Sequence, residues 1–323
     1  MKRVLVTGNL GYLGPIVVDR LKNRMDCYVV GLDTGWFLPT MNLRDTQYLP
    51  NKQIFGDLRD PLLNLPKDID TVIHLAGLSN DPISEIDPTL TQRINVMSTI
   101  RMISNYPDAH HVVASSASVY GATAYNVLSK ETDEVNPLTA YAEAKAKVDK
   151  YLLDYGDYDD KLSWTSLRFG TLWGWSPNMR RDIVLNAFCW QAAKTHEIAP
   201  ASNARRPMLH VDDAASVIVN AAILRMNGVF NVASENVMVS DIAEAVARVT
   251  ESSLVPCPDS SVDRRDYWMD TLKIADAMPD YEWTTISNTQ QINKVYEAAR
   301  SLGQDYPTRI QRIKEVIECE GSL

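Results

Sequence analysis

Along the first half of the chain, short β-branched runs alternate with stretches whose apolar positions recur every three to four residues. The runs are Val4-Leu5-Val6, Tyr28-Val29-Val30, Thr71-Val72-Ile73 and His111-Val112-Val113-Ala114. Each is continuous rather than alternating, as suits a strand buried on both faces of a parallel sheet. Between them the spacing predicts a helix opened by Pro15 and anchored by Ile16, Val17 and Leu21. A second helix carries Leu90, Ile94, Met97 and Ile100 on one stripe, and a third runs through Ala144, Val148 and Leu152. Repeated βαβ units of this kind predict an α/β fold with a Rossmann-type, doubly wound parallel sheet over residues 1–170.

Beyond Thr171 the pattern is less regular. Helices are expected near 182–194, 212–226, 241–249, 290–302 and 310–319, with a strand at 229–232 and Ser240 as an N-cap. Residues 171–323 therefore read as a smaller mixed α/β domain. That domain is expected to be discontinuous, with some segments returning to the first sheet.

Composition narrows the class. A chain of 323 residues suits two domains, and its 45% hydrophobic and 23% charged content is that of a folded protein. The net charge of −9 lacks the basic surplus of a nucleic-acid binder. No apolar run approaches the ~20 residues of a membrane helix, and Thr7-Gly8-Asn9 interrupts the opening before a signal peptide develops. Cys27, Cys189, Cys257 and Cys319 lie far apart, and the five histidines show no metal-ligand spacing. The expectation is a cytoplasmic protein with neither a metal site nor a disulfide framework, its cysteines buried thiols. Clustered Trp164, Trp173, Trp175 and Trp190 fit a core better than a sugar-stacking platform, with Trp173 or Trp175 the candidate nearest a sugar.

Two constellations carry chemistry. Gly8-Asn9-Leu10-Gly11-Tyr12-Leu13-Gly14 joins the first strand to the first helix. Glycines permit a tight turn and close approach of the backbone to a pyrophosphate, and the helix start offers free N–H groups. Three glycines alone also describe an ordinary turn. Asp33, at the end of the second strand, adds a carboxylate able to bond both hydroxyls of an adenosine ribose and to repel a 2′-phosphate. No Arg or Lys occupies 34–38, so NAD is the expected cofactor. Asp57-Leu58 follows the third strand, where the adenine would lie. The second constellation is Tyr141-x-x-x-Lys145, one helix face, after a strand ending in Ser115-Ser116-Ala117-Ser118. A Tyr/Lys pair at this spacing is often merely solvated, but here it belongs to the ligand-binding edge of the sheet. Lys145 and an oxidised nicotinamide would lower the phenol's pKa from near 10. Tyr141 could then exchange a proton with a substrate hydroxyl that Ser116 holds.

With Gly56-Asp57-Leu58, His74-Leu75-Ala76-Gly77, Asn95, Leu167-Arg168 and His210-Val211-Asp212-Asp213, the chain resembles an extended short-chain dehydrogenase/reductase of the NAD-dependent epimerase/dehydratase family. The resemblance implies that Gly8, Gly11, Tyr12, Leu13, Leu75, Ala76 and Gly77 line a cofactor cleft and that Asn95 supports the sheet edge beside it. It implies a nucleotide-diphosphate sugar as substrate, with Arg206, Arg265 and Tyr267 on the diphosphate. Ser79, Ser118 and Thr171 would face the sugar. Solvated surface charge remains the alternative for the arginines. A homodimer through helices near 90–104 and 140–154 is also implied.

Family dehydratases carry an Asp-Glu pair where this chain has Ala117 and Ser118, which disfavours 4,6-dehydration. Thr171 stands where asparagine is usual, and Trp175 where proline is usual after the glycine, so a sugar-contacting loop is expected to differ. The expected activity is C4 epimerisation through a transient keto-sugar. The alternatives are net C4 oxidation, keto-sugar reduction or, less in keeping with the Ser-Tyr-Lys set, a non-catalytic NAD sensor.

Overall fold

The computed structural model describes residues 1–24, 26–41, 45–156, 162–200, 202–257 and 266–320. Seven parallel strands form the central sheet. In spatial order they are Gly228–Val232, Ser163–Phe169, His110–Ser116, Thr71–His74, Lys2–Thr7, Cys27–Asp33 and Lys52–Phe55. The first strand is central. The chain builds outward to Lys52–Phe55, then crosses back to Thr71–His74, leaving a switch point between Lys2–Thr7 and Thr71–His74. Open α/β sheets bind ligands there, at the carboxyl ends of the strands. Val4, Leu5, Val6, Val29, Val30, Val72 and Ile73 are fully buried, as expected for strands covered on both faces.

Helix Gly14–Arg24 packs with Val211–Leu224 through Val17, Val18, Leu21, Ala214, Val217 and Ile218. Elsewhere, Ile103 of helix Ser98–Asn105 and Ala144, Val148 and Leu152 of helix Ala140–Gly156 cluster with Val113 of the sheet. Asp149 lies on that last helix with its carboxylate 2.9 Å from Arg168 Nε in the adjacent strand. Ser166 Oγ donates to the same carboxylate at 2.6 Å, and Arg168 Nη1 donates to Tyr120 Oη at 2.8 Å. Both ion-pair side chains are 3% exposed, so this bond fixes the helix that bears Tyr141 and Lys145 against the sheet.

A three-stranded sheet of Thr171–Trp173, Arg205–His210 and Glu235–Met238 lies beyond the main one. Its core gathers Trp173, Phe188, Trp190, Ile242, Val246 and Ile292. Strand Gly228–Val232 returns to the main sheet beside Ser163–Phe169. Helix Arg309–Glu320 comes back as well, burying Ile313 among Leu78, Ile83, Leu90 and Ile94. Among the described residues, no helix is long and apolar enough to cross a membrane.

Three local expectations are corrected. The stripe Leu90, Ile94, Met97, Ile100 breaks because Gln92–Met97 is a π-helical turn; the wider turn rotates Met97 to 65% exposure. Helix Val239–Thr250 begins earlier than expected, so Ser240 lies in its first turn. Met238 is the N-cap instead, its N–H donating 2.8 Å to the Asp241 carboxylate. Cys27 and Cys189 are buried thiols, but Cys257 is half-buried and Cys319 exposed.

Candidate active site

Gly8 ends the first strand at φ +73°, and a Cβ there would come within 2.5 Å of Ala76 N. The residue must be glycine for the loop to lie against Leu75-Ala76. A Cβ on Gly11 would meet only Gly8 O, at 3.2 Å, so space opens above it beside the start of helix Gly14–Arg24. N–H groups at a helix start have no carbonyl of their own turn, which makes this opening suited to phosphate. Asp33 accepts from Gly35 N at 2.8 Å on one oxygen and from Leu10 N at 3.1 Å on the other. A carboxylate has about four acceptor positions, so each oxygen keeps one for a ribose hydroxyl. Burial raises the pKa of Asp33, partly offset by those two backbone donors. An open glycine loop beside a carboxylate with capacity for a diol fits a dinucleotide.

The loop opens into a cleft of about 560 Å³ that runs under the second sheet. Gly8, Gly11, Tyr12, Leu13, Asp33, Asp57, Leu58, Leu75, Ala76 and Gly77 line it, together with Ser116, Ser118, Tyr141 and Lys145. Ser79, Thr171, Arg206 and Tyr267 line it too. Tyr12 turns its ring into the wall, donating from Oη to Gly174 O at 2.6 Å, so its backbone is what the loop presents. Asn95 is placed otherwise. It is 2% exposed and holds Leu78 by both backbone groups, at 2.8 and 2.9 Å, so it shapes the loop after the fourth strand without lining the cleft.

Ser118 donates from Oγ to Ser116 Oγ at 2.9 Å, and Ser116 is hydrogen-bonded to Tyr141. Lys145 Nζ donates to Ala114 O at 2.6 Å and lies 5.7 Å from the Tyr141 ring centroid. Among the protein's own groups, Lys145 is not one of the largest influences on the Tyr141 phenol. Burial dominates and pushes Tyr141 up to about 12, while the bond to Ser116 and the charge of Arg180 pull it down. Burial also brings Lys145 down to about 8.

On the far side, strand alternation separates the arginine pair. Arg205 is 1% exposed, bonded to the Asp266 carboxylate at 2.8 Å and to the carbonyls of Thr123 and Ala124. Arg206 lines the cleft, its Nη1 donating to Arg205 O at 2.7 Å. Arg265 lies outside the described residues. Trp173 is fully buried, and Trp175 packs on Tyr48 at 6.0 Å; neither lines the cleft.

Arg180, Asp182 and Arg309 line the cleft and were not found by sequence reasoning. Arg180 binds Asp182 through Nε at 2.9 Å and Nη2 at 3.1 Å, and reaches Ser79 Oγ at 3.3 Å. Asn80 Nδ2 donates to the same Asp182 at 2.8 Å. Arg309 comes from the last helix. The available signal was the charged run Arg180-Arg181-Asp182 at the opening of an expected helix.

Comparison with known proteins agrees with this geometry. The UDP-glucose 4-epimerase of Neisseria meningitidis serogroup B is 28% identical over 257 residues, covering 70% of this chain and 75% of its own. UDP-glucuronate 4-epimerase 6 of Arabidopsis thaliana is 31% identical over 186 residues, 53% of this chain and 40% of that one. The structure of MoeE5 with UDP-glucose and NAD superposes with a TM-score of 0.76 at 27% identity, covering 93% of this chain and 100% of that one. The profile of the NAD dependent epimerase/dehydratase family matches residues 4–233. The chain belongs to that family and is an NAD-dependent enzyme of the extended short-chain dehydrogenase/reductase type.

Proposed function

We propose that this enzyme epimerises a nucleotide-diphosphate sugar at C4 through a transient keto-sugar. The observation that carries the reading is the convergence of Ser116, Tyr141 and Lys145 between a dinucleotide-type glycine loop and Arg206 of the second sheet. When bound, NAD supplies reversible two-electron oxidation of a carbinol carbon. Tyr141 takes the proton of the C4 hydroxyl on oxidation and returns it on reduction. Ser116 accepts from Ser118, which leaves its own hydroxyl proton for the reacting oxygen. Lys145, held by Ala114 O, is set to reach the cofactor's nicotinamide ribose.

Arg206, with Tyr267 beside it, holds the diphosphate, since a guanidinium forks onto phosphate oxygens. Ser79, Ser118 and Thr171 contribute hydroxyls toward the sugar, and Arg265 belongs to the same reading of the diphosphate. Epimerisation is favoured over dehydration by the residues after Ser116. Ala117 is 1% exposed and carries no acid, and the Ser118 hydroxyl is bonded to Ser116. The division near Thr171 into a cofactor domain and a sugar domain belongs to this reading. So does a homodimer through the helices that expose Met97 and Leu153.

The test is incubation with NAD and a panel of UDP-, GDP-, dTDP- and CDP-sugars, followed by ion-pair chromatography with mass detection. A new peak of unchanged mass is expected. Loss of two hydrogens with NADH formation would replace the reading with net oxidation, and loss of water would overturn the case against dehydration.

A further inference from the structure

Residues 34–38 contain neither Arg nor Lys, so the loop beside Asp33 brings no cation to a cofactor that carries two negative phosphates. One arrives from the other end of the chain. Arg309, the first residue of helix Arg309–Glu320, is 5% exposed and lines the cleft. Its guanidinium lies 4.1 Å from the Phe37 ring centroid, a stacked cation–π contact. Nη2 donates to Asn178 Oδ1 at 2.8 Å and to Asn178 O at 3.1 Å. Asn178 in turn donates from Nδ2 to Leu10 O at 2.6 Å, inside the glycine loop. Nη1 is buried with no acceptor among the described residues. A buried charged donor left unpaired is costly, so such a group points to an acceptor that a ligand brings.

Its hydrogen-bonded neighbours locate the acceptor. Asn178, which holds the guanidinium, bonds Leu10 O of the glycine loop and Phe37 O just beyond Asp33. The cation therefore lines the cleft beside the loop whose backbone suits the two phosphates that join adenosine to nicotinamide riboside. Burial lowers the guanidinium's pKa to about 10, so it stays charged at neutral pH.

We propose that Arg309 is a cofactor-binding residue: its Nη1 bonds the pyrophosphate of NAD, and the C-terminal helix is the strap that carries it there. The inference rests on the placement of NAD argued above. The strap is anchored independently of Arg309. Arg312 Nε donates to Trp36 O at 2.7 Å, Ile313 is fully buried, and Tyr306 Oη donates toward Thr40 O and Met179 O at 3.1 and 3.0 Å. Arg309 can therefore be altered with the helix still docked.

The experiment uses the full chain with Arg309→Gln and Arg309→Lys, titrated calorimetrically with NAD and ADP-ribose, and with adenosine by competition. Arg309→Gln should weaken NAD and ADP-ribose alike by roughly 10- to 100-fold, the range of one charge-assisted bond, and leave adenosine within about threefold. It should also flatten the salt dependence of NAD binding, and Arg309→Lys should restore part of the affinity. An equal loss for adenosine would overturn the proposal in favour of a structural role through Phe37. Unchanged NAD affinity, or a loss confined to NADP, would overturn it as well. If Arg309→Gln does not fold, the salt dependence of Arg309→Lys against the unaltered protein decides: identical slopes support retained charge at phosphate, and an altered adenosine affinity refutes it. Failure of the underlying placement is separable, because NAD would then be insensitive to Asp33→Ala whatever Arg309 does.

Discussion

Replacing Asp33 with alanine should reverse the preference between the two nicotinamide dinucleotides. The carboxylate closes strand Cys27–Asp33 and accepts one backbone N–H on each oxygen, leaving one acceptor position on each for the ribose diol. Hydrogen bonds to a charged group contribute about 1.5–3 kcal/mol each, so losing two should cost NAD roughly 3–4 kcal/mol after water replaces part of them. That corresponds to a Kd about 100- to 1000-fold higher. For NADP the sign is opposite. A unit charge pair about 4 Å apart at an effective dielectric near 20 repels by about 4 kcal/mol, and the 2′-phosphate carries more than one charge. Removing the carboxylate relieves that repulsion. The NAD/NADP affinity ratio should therefore fall by about 10³ or more, read by titration calorimetry with both dinucleotides. A change below about tenfold would refute the ribose contact. A pH series gives a second check. Burial raises the Asp33 pKa, so NAD binding to the unaltered protein should weaken as pH falls through a value above the ordinary 3.8. Asp33→Ala should lack that acid limb.

Three further outcomes are expected. Tyr141→Phe should lower kcat by about 10²- to 10⁴-fold while NAD still binds; turnover unchanged in single-turnover assays would remove Tyr141 from the proton transfer. Asp149→Asn leaves Arg168 charged and buried without its partner, and should cost about 3–5 kcal/mol in urea unfolding. A loss below about 1 kcal/mol would mean the pair is not what holds the Tyr141 helix. Burial also brings His110 and His111 down to about 4, so the unfolded chain binds protons near pH 6.5 that the folded chain refuses. Stability is then complete above about pH 7 and lost as pH falls from about 6.5 toward 4, by up to ~4 kcal/mol at pH 5 for the two residues. Thermal melts equal at pH 7.5 and 5 would contradict neutral, buried imidazoles.

What the chain alone determined is local in origin. Strands such as Val4-Leu5-Val6 announce themselves because burial on both faces demands continuous β-branched residues. The Gly8 loop does so because backbone at φ +73° pressed against Ala76 excludes a side chain. Tyr141 and Lys145 share a face through helical period, and Asp33 ends a strand whose register is set by its neighbours. Tertiary structure decided what depends on distant contacts. The π turn that turns Met97 outward exists within a continuous helical pattern and leaves no mark in apolar spacing. Met238 displaced Ser240 as N-cap because Asp241 bonds the Met238 N–H, starting the helix two residues earlier. Burial raises the phenol of Tyr141 above its ordinary value because segments distant in the chain shut it away from water. Arg180 and Arg309 reach the cleft on segments brought in by the second core and the last helix, which burial of side chains such as Trp173 and Ile313 holds in place. Periodicity and capping act within a turn or two of chain. Desolvation and side-chain pairing act wherever packing brings groups together, and only the folded chain specifies that.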